Sequence, residues 1–100
     1  MIFIKKGVRI HGIRPEVVFA LVIVAQVFST FDEDLVITSV IDGRHMRGSL
    51  HYVGAAFDVQ LPLYNNEGAR QRLAEALGAE FDVVLEDTHI HVEWQPKEPY

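Results

Sequence analysis

The chain carries its imidazoles and carboxylates in two stretches that any fold has to bring together. One runs from Ser49 through His51 and Gly54 to Asp58, the other from Glu86 through His89 and His91 to Trp94. Together they hold as many histidine and carboxylate groups as a zinc ion needs. A catalytic zinc takes three protein ligands and keeps a fourth position for water. No cysteine is present, so histidine and carboxylate are the only strong zinc ligands on offer.

The spacing within each stretch restricts its backbone. His51 and Asp58 stand seven residues apart, which in a straight strand is roughly 23 Å with the side chains on opposite faces. On a helix they share a face but lie about 10 Å apart along the axis. Two ligands of one ion must each come within about 2 Å of it. The chain therefore has to bend between them, and Gly54 bends at least cost, with Ala55 and Ala56 keeping bulk away. After the bend, Phe57, Val59 and Leu61 alternate with Asp58 and Gln60, which predicts a strand with Asp58 on its polar face. In the second stretch His89 and His91 are two apart and share one face of a strand, while Ile90, Val92 and Trp94 point to the core. Spacing alone allows either histidine, or both, to meet a metal.

Ser49, His51, Gly54, Ala56 and Asp58 fit the pattern S-x-H-x-x-G-x-A-x-D, and His89 and His91 supply an H-x-H near the C-terminus. Over residues 35 to 95 the chain thereby resembles the zinc D-alanyl-D-alanine carboxypeptidases and related peptidases. That group includes phage endolysins that cut peptidoglycan stem peptides, and the hedgehog signalling domain shares its fold. The resemblance implies one zinc per chain, with His51, Asp58 and His91 as its ligands. It implies a general base shortly before the last ligand, for which Glu86 is the best match, and places His89 beside the metal to stabilise a transition state. It also implies an arginine upstream of the motif that binds a substrate carboxylate. Arg44 and Arg47 are the candidates, Arg44 ahead, because a planar guanidinium pairs both carboxylate oxygens. Ser49 is expected to fix the motif loop and border the substrate, not to act as a nucleophile. Asp87 and Glu93 are expected as surface carboxylates, His11 and His45 as loop histidines, and Trp94 as core or cleft-edge packing.

The expected fold is a single α+β domain over residues 1–100: a small antiparallel sheet with helices packed on one face, hedgehog/DD-peptidase-like. One hundred residues suit one core, and 49% hydrophobic residues argue for a packed globule. The opening Met1 to Ile10 is too short for a secretory signal and has no cleavage region, so synthesis in the cytoplasm is expected. It reads as a short strand, a turn at Gly7 and a second strand. Pro15 opens a helix to about Phe28, acidic at its start, too short to span a membrane and expected to be buried on most sides. Leu35 to Val40 reads as a strand, residues 67–77 as a helix capped by Asn65 or Asn66 and ended by Gly78, and Phe81 to Leu85 as the strand that delivers Glu86.

A net charge of −5 argues against a nonspecific nucleic-acid binder and a binder of anionic membranes. The function these features imply is hydrolysis of peptidoglycan stem peptides, as a D-Ala-D-Ala carboxypeptidase or an endolysin-type endopeptidase of phage or prophage origin. The competing expectation is a zinc-stabilised binding or virion-structural module on the same fold, with little or no hydrolysis.

Overall fold

The first helix shows how tertiary burial overrides local preference. Residues Pro15–Thr30 are rich in β-branched side chains, yet they form the helix α1. Pro15 supplies a preset φ at its first turn and Glu16 a favourable charge there. Val17, Ala20, Val24, Val27 and Phe28 are buried along one stripe, at the spacing of one helix face. The opposite face is not covered as expected: Phe19 is 71% exposed, with Val18 and Val22 about half exposed beside it. No described helix is long and apolar enough to cross a membrane.

The structure is a computed structural model that describes residues 1–10, 12–40 and 55–96. Their elements run β1 (Ile2–Ile4), α1, β2 (Leu35–Ser39), β3 (Ala56–Gln60), α2 (Asn66–Leu77), β4 (Phe81–Leu85) and β5 (His89–Trp94). The second strand expected before Ile10 does not form; a turn at Lys6 and Gly7 is followed by irregular backbone. The sheet is five-stranded in the order β1-β2-β3-β5-β4.

The sheet is mixed, which corrects the expectation of an all-antiparallel one. β1 pairs with β2 in parallel, Ile2 opposite Leu35, while the remaining pairs are antiparallel. The reason is connectivity. Two parallel strands need a crossover, usually a helix, and α1 is that crossover. The longer spacing of β3-α2-β4 acts similarly, with β5 inserted between two parallel neighbours.

One core unites the elements. Val17, Val24 and Phe28 of α1 and Leu73 of α2 join Leu35, Ile37, Phe57, Val59, Val83, Ile90 and Val92 in a single buried cluster. The strand residues belong to one face of the sheet, since Phe57 is registered with Val92, Val59 with both Ile90 and Ile37, and Val83 with Val92. Both helices therefore cover that face; the other carries Asp58, His89, His91 and Glu93 beside the apolar Ala56 and Val84.

The α2 start illustrates a locally encoded boundary. Asn65 adopts φ +49°, and its side-chain oxygen accepts the Gly68 N–H at 3.2 Å. Gly78 closes the helix at φ +88°, a conformation that costs glycine little. Replacing Asn65 with alanine is expected to cost about 1 kcal/mol, and with glycine only a few tenths. Denaturant midpoints test this; an undiminished midpoint in Asn65→Ala would assign no role to the capping oxygen.

Candidate metal centre

Strand alternation puts His89, His91 and Glu93 of β5 on the sheet face away from the helices, because Ile90 and Val92 between them are fully buried in the core. Asp58 sits on the neighbouring strand in register with His91, and Ala56 in register with Glu93. On the far side of Asp58 lies Ser39, where the register of β2 slips between Ile37 and Ser39. Such a bulge re-aims side chains next to a site.

The side chains meet at Asp58. Its Oδ1 lies 2.8 Å from His91 Nδ1, across 33 residues of sequence, and 3.8 Å from His89 Nε2. His91 Nε2 faces Glu93 Oε1 at 3.1 Å, and the amide of Gln95 donates to the other Glu93 oxygen. His89 Nδ1 is 2.9 Å from the Thr88 hydroxyl. With that hydroxyl donating, His89 carries its proton on Nε2 and presents it toward Asp58.

Asp58 is only 9% exposed. A carboxylate removed from water needs a charged or hydrogen-bonding partner, and His91 is one. The partnership acts on His91 in return. The hydrogen bond with Asp58 raises its pKa to about 9, assisted by Glu93 and opposed by burial. At neutral pH without metal, the imidazole is thus a cation shared between two carboxylates.

This has a measurable consequence for the metal-free protein. The folded pKa lies above the unfolded value of 6.5, so the folded state holds the proton more tightly. The resulting stability is complete below about pH 6.5 and is lost as pH rises through about 9. Its size is at most roughly 3 kcal/mol. Melting in chelator across this range is expected to show the decline in the parent and a flatter profile in His91→Gln. Parallel profiles would remove the ion pair from the stability of the fold.

The donor set suits zinc, which accepts imidazole nitrogen and carboxylate oxygen at about 2.0–2.2 Å. Tetrahedral ligands at such distances lie roughly 3.3 Å from one another, between the 2.8 Å and 3.8 Å separations at Asp58. An ion at this point would be held by Asp58 and His91, with His89 beside them. Among the described residues no group of three histidine, aspartate or glutamate side chains is arranged to hold a metal. Of the expected ligands, Asp58 and His91 are brought together, while His51 lies outside the described residues, as do Arg44, Arg47, Ser49 and His45.

Glu86 stands at the mouth of the β4–β5 hairpin. Its backbone N–H donates to the His89 carbonyl at 2.9 Å, and its side chain is exposed. Being opposite His89, it belongs by alternation to the same polar face. Glu93 departs from its expected place at the surface: it is partly buried and bonded to His91. The signal was in the sequence, because His89, His91 and Glu93 are spaced by two along one strand. Thr88 was also missed, and only the hairpin places its hydroxyl against His89. Trp94 packs at the edge of the core, with the Arg14 guanidinium 5.7 Å from its ring centre. An open depression lined by Phe31, Glu33, Tyr64 and Arg72 contains none of these groups.

Fold and site together define a small α+β domain with a carboxylate–imidazole cluster on the sheet face away from the helices. No protein-family model matches the chain, and no curated protein or solved structure matches it.

Proposed function

We propose that the protein is a zinc-dependent peptidase of the hedgehog/DD-peptidase type that cleaves peptidoglycan stem peptides, with phage or prophage association. The observation that carries this reading is the contact between Asp58 and His91 at 2.8 Å. Two residues singled out from separate motifs are adjacent on one sheet face, with His89 beside them.

In this reading His51, Asp58 and His91 hold the ion. Bound there, zinc supplies Lewis acidity toward the scissile carbonyl and brings the pKa of a water toward neutrality. Glu86 accepts the proton of the attacking water and passes it to the leaving amine. His89, oriented by Thr88, donates its Nε2–H to the developing oxyanion. Arg44 or Arg47 pairs with a substrate carboxylate and sets which bond reaches the ion.

A second reading, a zinc-stabilised binding or virion-structural module without hydrolysis, draws on the exposure of Glu86 at the hairpin mouth. A general base must come within hydrogen-bond reach of the proton it takes. Incubating zinc-loaded protein with purified peptidoglycan, with mass analysis of the soluble fragments, separates the two. Released stem-peptide fragments identify the bond cut. Retained zinc with intact peptidoglycan sinks the peptidase reading and favours the module.

A further inference from the structure

His91 is held at both ring nitrogens, and the two contacts have different consequences for a metal. Nδ1 faces Asp58, the shared ligand of the proposed site. Nε2 faces Glu93, which is itself held through its second oxygen by Gln95. Glu93 and His91 project from the same strand face, with Ala56 in register opposite Glu93. The carboxylate is therefore confined beside the imidazole from two directions.

A neutral imidazole has one N–H and one lone pair, and a metal requires the lone pair. The partner of the other nitrogen decides which tautomer is present and which way the ring points. A carboxylate accepts a hydrogen bond and cannot donate one, so without metal Asp58 and Glu93 each accept from one ring nitrogen of a protonated His91. When an ion replaces the proton on Nδ1, the N–H that remains is the one on Nε2, and Glu93 is placed to accept it.

We infer that Glu93 is a positioning residue for the metal ligand His91, holding its Nε2–H so that Nδ1 meets the ion beside Asp58. The inference rests on the metal reading proposed above. It assigns the chain Gln95–Glu93–His91 as an outer support of the site. It also gives the side-by-side Glu93 and His91 a purpose other than surface solvation.

The test uses zinc itself, with affinity measured by chelator competition on the full chain. Glu93→Ala is expected to weaken binding about 10–100-fold. Glu93→Gln retains a side-chain oxygen that accepts the Nε2–H, and is expected to restore most of the affinity. The metal-free melting temperatures of the two variants are compared in parallel. In zinc-loaded protein, the His91 Nε2 proton should exchange slowly with solvent in the parent and rapidly in Glu93→Ala, as read by nitrogen–proton NMR. Equal zinc affinity in the parent and Glu93→Ala would overturn the role. So would equal weakening in both variants, which assigns the effect to lost charge or packing instead of the hydrogen bond. A parent without measurable zinc affinity fails the underlying metal reading, a result visible before any variant is made.

Discussion

His91→Ala is expected to empty the zinc site while leaving the sheet intact. Apparent zinc binding energies of about 10–16 kcal/mol, shared among three or four ligands, give roughly 3–4 kcal/mol for each. The loss is then on the order of 10²–10³-fold in affinity. The same result is expected for His51→Ala. Elemental analysis of protein purified without added metal reads the outcome directly, and full occupancy in both variants rules the site out. His91 is the favoured histidine because its nitrogen is 2.8 Å from Asp58 Oδ1, against 3.8 Å for His89. If His89 were the ligand instead, His89→Ala would empty the site and His91→Ala would not. Zinc has to displace the proton that His91 shares with Asp58, so acid should release the metal. A site joining β3 to β5 also stabilises the folded chain, and stripping the metal should lower the melting temperature.

The second large effect concerns turnover. Glu86→Gln keeps the shape of the side chain and removes its basicity. Zinc content and melting behaviour should match the parent, while turnover on peptidoglycan falls roughly 10²–10⁴-fold. His89→Ala should likewise keep the metal, and lose about 10²–10³-fold, the loss typical of one oxyanion donor. Undiminished turnover in Glu86→Gln would move the base to another group. The prediction holds only if Glu86, registered opposite His89, reaches the water beside Asp58 and His91.

Much of the domain follows from local rules. Pro15 and Glu16 start α1, Asn65 and Gly78 bound α2, and the alternation in β3 and β5 separates the core residues Phe57, Val59, Ile90 and Val92 from Asp58, His89 and His91. These features were legible because capping and side-chain periodicity depend on residues within a turn or two. The face carrying the site was legible for the same reason. A strand's alternation assigns every second side chain to one side without reference to its partner.

Strand pairing was different. The parallel union of β1 with β2 depends on α1 crossing over the sheet, and no pattern inside Ile2–Ile4 carries that information. The exposed Phe19 face of α1 likewise reflects how much helix surface one small sheet and α2 can cover. At the site, the motif named Asp58 and His91, but their 2.8 Å contact is a product of register between β3 and β5. The same register sets Ala56 across from Glu93, beside the imidazole it holds. The sequence by itself determined which groups share a face, since alternation is local to each strand. Tertiary structure decided which of them touch, because distances across a sheet depend on register set by the whole core.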